Sequence, residues 1–119
     1  MLFCYLDDSN VARTVVTMNI KSRIPGSKVE TFGKDEADVG AFLDAVLQRA
    51  NVAILDQNLQ YAEKTYLGTD LAKKLLAGGF TGLLCIRSAD CSDDEVEWYA
   101  QNGAHCAIDK ASGPDVMVH

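Results

Sequence analysis

Short apolar segments alternate with segments of helical periodicity along the chain. The apolar segments cover residues 2–6, 28–32, 52–55, 83–86 and 106–108. Most of them are continuous runs rather than alternations of apolar and polar side chains. Continuous runs are typical of strands that are buried on both faces of a parallel sheet. The pattern therefore predicts five short parallel strands.

Four helices are predicted between these strands, over residues 9–21, 35–49, 69–76 and 92–102. In the first helix, Val11, Val15 and Met18 recur at the spacing of one helical face, and we expect that face to be apolar and inward. The fourth helix opens with Ser92 followed three residues later by Glu95, which is the pattern of a capping box.

The order of elements is β-α-β-α-β-α-β-α-β, and we expect one domain over residues 1–119. Apolar residues make up 48% of the chain and charged residues 24%, a composition typical of a globular domain. Right-handed crossovers place the helices on both faces of such a sheet. Ligands of open parallel sheets bind beyond the carboxyl ends of the strands, so the residues after each strand are the ones to examine.

Charge limits the classes of partner. The chain carries 11 Lys and Arg against 17 Asp and Glu, a net charge of −6, which disfavours nucleic acids and anionic lipid surfaces. No apolar run approaches the ~20 residues of a membrane span, and no signal peptide is apparent. We therefore expect a cytoplasmic protein without nucleic-acid or membrane partners, and its four cysteines are expected to be reduced thiols.

Polar side chains follow four of the five predicted strands. Asp7 and Asp8 follow the first strand, Asp56 the third, Ser88 the fourth and Lys110 the fifth. A single aspartate after a strand is most often a turn residue or a helix cap. Because the carboxyl ends of parallel strands meet at one edge of a sheet, the whole set indicates a site.

This set resembles the receiver domain of two-component response regulators. The matching segments are Asp7-Asp8-Ser9 with Arg13, Ile54-Leu55-Asp56, Gly68-Thr69-Asp70-Leu71, Ser88-Ala89, and Gly103-Ala104 leading to Lys110. They extend over residues 1 to about 110. The resemblance implies an α/β fold of the flavodoxin-like class, a doubly wound five-stranded parallel sheet in the order 2-1-3-4-5.

The resemblance also implies a divalent cation at the acidic edge. Asp7, Asp8, Asp56 and the backbone carbonyl of Asn58 would hold Mg²⁺ or Mn²⁺. Three close carboxylates repel one another and raise one another's pKa. A hard cation that prefers carboxylate oxygens removes this penalty and neutralises charge on an incoming phosphoryl group.

Finally, the resemblance implies that Asp56 accepts a phosphoryl group from a histidine kinase or a histidine phosphotransfer protein. A carboxylate can act as the nucleophile of such a transfer. Ser88 would contact a phosphoryl oxygen, and Lys110 would pair with the transferred group. The chain would be a signalling domain that catalyses its own phosphorylation and dephosphorylation.

Several positions depart from the family pattern. Ala111 replaces the proline usual after the lysine, and Ala107 replaces the usual aromatic switch residue. The loop 57–68 is longer than usual. Residues 111–119 leave no room for a normal fifth helix, so we expect that helix to be absent or atypical. The apolar face left bare beside the first helix and fifth strand would then favour a homodimer.

Three alternatives stay open. A degenerate receiver would have the same fold and act as an interaction or dimerisation module without phosphorylation. A phosphohydrolase of the haloacid dehalogenase type would require Asp-x-Asp after the first strand, where Asp7 and Asp8 are adjacent. A nucleotide-binding flavodoxin-like domain would require a glycine-rich loop in place of Ser9-Asn10-Val11.

Overall fold

The computed structural model describes residues 1–110 and the backbone of residues 116–118. The strands are β1 (Leu2–Leu6), β2 (Lys28–Phe32), β3 (Val52–Asp56), β4 (Asn58–Gln60), β5 (Thr65–Leu67), β6 (Leu83–Ser88), β7 (Cys106–Asp109) and β8 (Val116–Val118). The helices are α1 (Asn10–Arg23), α2 (Ala37–Arg49), α3 (Gly68–Ala77) and α4 (Asp93–Gln101). None of these helices is long and apolar enough to cross a membrane.

The main sheet has the strand order β2-β1-β3-β6-β7-β8. Its first five strands pair in parallel and are the five predicted strands in the predicted order, so the flavodoxin-like fold is confirmed. In addition, β8 pairs antiparallel with β7, with Met117 opposite Ile108. This edge strand was not predicted, because three residues are too few to show a periodicity. Among the described residues, no helix follows β7.

Helices cover the two faces of the sheet unequally. The larger core cluster holds the buried side chains of α2 and α3 and Tyr99 of α4, whereas the smaller one holds Val16 and Ile20 of α1. The predicted inward face of α1 was therefore wrong. Val11 and Met18 are 72% and 64% exposed, because the helix is rotated to bury the neighbouring i, i+4 pair. Its sequence carries apolar side chains on more than one face, so periodicity alone could not select between them.

The start of α4 also differs from the prediction. Ser92 occupies the N-cap position, but its side chain makes no capping hydrogen bond, so the predicted capping box with Glu95 is absent. Instead, the Ser92 N–H donates to Asp90 Oδ1 at 3.2 Å. The turn before α4 is thus organised by Asp90, whose side chain folds back on its own loop.

The long loop after β3 forms an antiparallel β4–β5 hairpin. Leu59 anchors the hairpin in the core with no exposed surface. Tyr61 Oη donates to the Gly33 carbonyl at 3.0 Å, and Tyr66 Oη donates to Glu36 Oε1 at 2.7 Å. The hairpin is therefore fastened to the β2–α2 loop, directly beside the carboxyl edge of the sheet.

Cys85 and Cys106 face each other in register on β6 and β7, with Cα atoms 4.9 Å apart, and form a disulfide. The expectation of four reduced thiols was therefore wrong for this pair, whereas Cys4 and Cys91 are free. Each cysteine lies in an apolar run, and only the register of the two strands brings the sulfur atoms together.

Gly33 provides a test of how the β2–α2 loop approaches the acidic edge. Its φ is +122°, and a Cβ there would overlap the Asp7 carbonyl oxygen. We expect Gly33→Ala to lower the free energy of unfolding by about 2 kcal/mol or more. Gly40 is an exposed position within α2 with open space around it, so Gly40→Ala is the matched control and should raise stability by ~0.5–1 kcal/mol. Urea denaturation measures both, and equal stabilities of the two variants would contradict the close approach.

Candidate functional site

The fold gathers the predicted site residues at the carboxyl edge of the parallel strands. Asp56 is the last residue of β3, Ser88 is the last residue of β6, and Lys110 directly follows β7. Asp7 and Asp8 follow β1. Asp7, Asp8 and Asp56 each place one carboxylate oxygen within 4.8 Å of the others. The sheet therefore confines three carboxylates to a space that a single cation could occupy.

Asp56 is buried and paired with Lys110. Lys110 Nζ lies 2.5 Å from Asp56 Oδ1, and the Lys110 backbone N–H donates to the Ser88 carbonyl at 3.0 Å. The pKa of Asp56 is raised from 3.8 to about 6, chiefly by burial. The hydrogen bond from Lys110 lowers this pKa, whereas the charges of Asp7 and Asp8 raise it. Burial is thus the main reason that ionisation of Asp56 is unfavourable, and repulsion from Asp7 and Asp8 adds to it.

Asp7 is held from several sides. Its Oδ1 accepts the Ser9 N–H at 2.9 Å, and its Oδ2 accepts the hydroxyl of Tyr5. Arg87 Nη1 lies 3.5 Å from the same Oδ2 and 3.2 Å from Tyr5 Oη. Burial raises the pKa of Tyr5, so this hydroxyl stays a neutral donor. Arg13 Nη1 donates to the Asp7 carbonyl at 2.7 Å, which links α1 to the same loop.

Asp8 connects the acidic edge to the hairpin. Its Oδ2 accepts the backbone N–H of Gln60 at 2.9 Å. Asn58, whose carbonyl would be a metal ligand by the resemblance to receiver domains, is exposed at the start of the hairpin, two residues after Asp56. Its role as a ligand stays a prediction.

Ser88 is buried and fully engaged in hydrogen bonds. Its Oγ accepts the Asp90 N–H at 3.1 Å and lies 3.0 Å from Tyr99 Oη. Tyr99 comes from α4 and is itself buried. Ala107, at the position of the usual aromatic switch residue, is buried in the larger core cluster.

No family model and no curated protein matches the chain. Solved receiver domains do match its structure. The signal receiver domain of a DNA-binding response regulator from Colwellia psychrerythraea has a TM-score of 0.73 at 16% identity, over 93% of this chain and 86% of that one. The chemotaxis protein CheY4 of Vibrio cholerae has a TM-score of 0.72 at 22% identity, over 95% and 88%. The chain has the receiver fold.

A third similar structure is the Mn²⁺-bound form of the response regulator Rcp1, with a TM-score of 0.67 at 16% identity, over 94% of this chain and 82% of that one. In the present chain, hydrogen bonds from the described residues engage Asp8 Oδ2 and Asp56 Oδ1. Both oxygens of Asp7 accept hydrogen bonds, so a cation would have to share one of them. Three carboxylates within 4.8 Å form a donor set of the kind that hard divalent cations prefer, so the residues fit such a metal.

Sequence reasoning did not identify Tyr5, Arg87 or Tyr99 as part of this site. Tyr5 lies within the first predicted strand and Arg87 directly follows the fourth, and the only available signal was the charge of Arg87 next to an apolar run. Tyr99 lies on a helix far along the chain from Asp7 and Asp8. The contacts of Arg87 and Tyr99 depend on how distant strands and α4 pack together, which local patterns do not report.

Arg87 supplies this receiver site with a buried positive charge. It is 9% exposed, and its Nε has no hydrogen-bond partner among the described residues. The positive charges of Arg87 and Lys110 partly neutralise the three carboxylates, so the net charge of these five side chains is −1. A buried arginine requires a partner, and Asp7 is that partner here. Arg87 would therefore compete with a metal for Asp7.

Replacing Arg87 by methionine tests this competition. Arg87→Met removes the charge and keeps an unbranched side chain. We expect Mg²⁺ to bind about tenfold more tightly, which corresponds to ~1.4 kcal/mol. This is well below the ~4 kcal/mol of two unit charges 4 Å apart at an effective dielectric constant of 20. Isothermal titration calorimetry measures the affinity.

The same variant should unfold more easily without metal, because Asp7 then loses its cation and stays buried. Mg²⁺ should restore more of the melting temperature in Arg87→Met than in the wild type. Arg13→Met is the control, since the side-chain hydrogen bonds of Arg13 to the described residues go to the Asp7 backbone oxygen and the Asn10 side chain and not to a site carboxylate. If Arg87→Met binds Mg²⁺ no more tightly than the wild type, Arg87 does not oppose the metal.

Proposed function

We propose that the chain is a phosphoryl-accepting receiver domain of a histidine-to-aspartate phosphorelay, phosphorylated on Asp56 with the help of Mg²⁺ or Mn²⁺. The observation that carries this proposal is the convergence of Asp7, Asp8 and Asp56 with Lys110 at the carboxyl edge of a receiver fold. This combination supplies a nucleophile, a set of cation ligands and a positive charge in one place.

The residues have distinct roles in the proposed transfer. An Asp56 oxygen attacks phosphorus, the new P–O bond forms as the P–N bond of a phosphohistidine breaks, and the imidazole leaves. Lys110, now paired with Asp56 Oδ1, would turn to the phosphoryl oxygens. The Ser88 hydroxyl would donate to one of these oxygens.

A divalent cation would be held by Asp7, Asp8 and Asp56, with the Asn58 carbonyl as a further ligand. When bound, it neutralises charge on the carboxylates and on the transferred group. Support comes from the donor set of the acidic edge and from the Mn²⁺-bound state of the structurally similar Rcp1.

The proposed phosphoryl donor is a histidine kinase or a histidine phosphotransfer protein in the cytoplasm. We propose that the domain catalyses its own phosphorylation and dephosphorylation. The net charge of −6 supports a protein partner rather than direct contact with nucleic acid or a membrane surface.

A second candidate function is a degenerate receiver that binds or dimerises without phosphorylation. Arg87 favours it, because this internal cation already neutralises part of the charge that a metal would otherwise compensate. The two candidates differ in one measurable property, which is the formation of an acyl phosphate.

Phosphorylation of Asp56 is tested with a small-molecule donor. We expect the wild type to gain ~80 Da on incubation with phosphoramidate and Mg²⁺, detected by mass spectrometry of the intact protein. Asp56→Asn should show no gain, because the amide is not a nucleophile of this kind. Asp70→Asn alters an exposed acid at the start of α3 and should leave the gain intact. An adduct at wild-type level in Asp56→Asn would refute the assignment, and no adduct in the wild type would favour the degenerate receiver.

We also propose a homodimer, with a more restricted surface than the sequence suggested. Cys106 and Ile108 of β7 are buried, whereas Val11 and Met18 of α1 remain exposed. Light scattering should report twice the mass of one chain at high micromolar concentration, and Met18→Lys should weaken the association by placing two charges at a two-fold contact. A monomer over the whole concentration range would exclude this dimer.

A further inference from the structure

We propose that Tyr99 is a positioning residue that holds the hydroxyl proton of Ser88 in the unphosphorylated site and connects that site to α4. This inference rests on the proposed function and names the residue that would respond when Asp56 is phosphorylated. It derives from the donors and acceptors around two buried hydroxyl groups.

Two polar groups contact the Tyr99 hydroxyl in a way that assigns its proton. Tyr99 Oη lies 2.9 Å from the Asp90 carbonyl oxygen and 3.0 Å from Ser88 Oγ. A carbonyl oxygen can only accept, so the single proton of Tyr99 goes to Asp90. The contact with Ser88 then requires Ser88 to be the donor and Tyr99 Oη the acceptor. The Ser88 Oγ lone pairs receive the Asp90 N–H at 3.1 Å.

Burial makes this arrangement exclusive. Ser88 and Tyr99 are only 4% and 2% exposed, so water offers little replacement for a lost partner. Ser88 has one proton, and that proton cannot serve both Tyr99 Oη and a phosphoryl oxygen on Asp56. The charged phosphoryl oxygen is the stronger acceptor. Phosphorylation should therefore turn the Ser88 hydroxyl away from Tyr99, with the proton remaining on its own oxygen.

Rotation of the Ser88 hydroxyl would change the hydrogen bonds that fix α4 to the site. Tyr99 is the buried residue of α4, and it connects this helix to both ends of the Ser88–Asp90 turn. Asp90 in turn accepts the N–H of Ser92 at the start of α4. Loss of the Ser88 contact removes one of the two hydrogen bonds that fasten Tyr99 to the turn. Ala107 cannot take over this contact, because its side chain has no hydroxyl group.

Trp98 lies where it can report such a change. Its ring centroid is 5.9 Å from that of Tyr99, and 41% of its surface is exposed. It is the only tryptophan in the chain, so its fluorescence emission reports this region alone. The exposed surface of α4 around Trp98 would thereby differ between the phosphorylated and unphosphorylated states.

Tyr99→Phe tests the proposal, because it removes the hydroxyl and keeps the ring. The probe is beryllofluoride with Mg²⁺, a mimic of the phosphoryl group, and ¹⁹F NMR measures its affinity. We expect about 2- to 10-fold tighter binding in Tyr99→Phe, the range of one neutral hydrogen bond, because Ser88 no longer has to leave a partner. The Asp90 carbonyl loses its donor in both states, so this loss cancels. Tyr66→Phe removes a tyrosine hydroxyl that is bonded to Glu36 and should bind the probe like the wild type.

A double-mutant cycle separates this role from a merely structural one. In a Ser88→Ala background, Tyr99→Phe should no longer change beryllofluoride affinity, because the shared proton is gone. A second measurement uses no Tyr99 variant, so it does not depend on whether Tyr99→Phe folds. Beryllofluoride should change Trp98 emission in the wild type, and Ser88→Ala should abolish that change at saturating probe.

The outcomes are distinguishable. Equal affinities of the wild type and Tyr99→Phe, or a gain that persists in the Ser88→Ala background, would overturn the role of Tyr99. An unchanged Trp98 signal on saturation of the wild type would overturn its connection to α4. A wild type that binds no beryllofluoride would contradict the proposed function itself, and the inference would fall with it.

Discussion

The crowding of negative charge at one edge of the sheet is the constraint on which the rest of this site depends. Parallel strands end together, so the acids at the ends of β1 and β3 are forced within 4.8 Å of one another. Repulsion at this distance in a buried setting costs several kcal/mol unless cations or donors compensate. In this chain, Lys110 pairs with Asp56, and Asp8 accepts a backbone N–H. Asp7 is compensated by the charge of Arg87 and by a hydrogen bond from the Tyr5 hydroxyl.

These compensating contacts join the site to elements on every side of it. The N–H that reaches Asp8 belongs to Gln60 of the β4–β5 hairpin, which in turn binds the β2–α2 loop through Tyr61 and Tyr66. On the opposite side, Ser88 reaches α4 through Tyr99. Hydrogen bonds thus connect the acidic edge to the hairpin on one side and to α4 on the other.

Local patterns in the sequence determined the fold class and the members of the acidic edge. Continuous apolar runs identify buried parallel strands, and alternation with helices leaves few topologies open, since crossovers are right-handed. Asp7, Asp8, Asp56, Ser88 and Lys110 lie within two residues of the ends of predicted strands, which places them at one edge without any knowledge of contacts. The predicted helix boundaries lie within two residues of the observed ones, because apolar periodicity and end signals mark the helix ends.

Only the tertiary structure decided how these residues are partnered. Arg87 meets Tyr5 and Asp7 because the sheet packs together strands that are distant in sequence, and the register of β6 and β7 brings Cys85 to Cys106. The rotation of α1, the hairpin and the β8 edge strand depend on which surfaces remain to be covered once the sheet has formed. Sequence periodicity encodes which side chains are apolar, but the pairing of buried polar groups depends on contacts between distant segments, and these exist only in the folded chain.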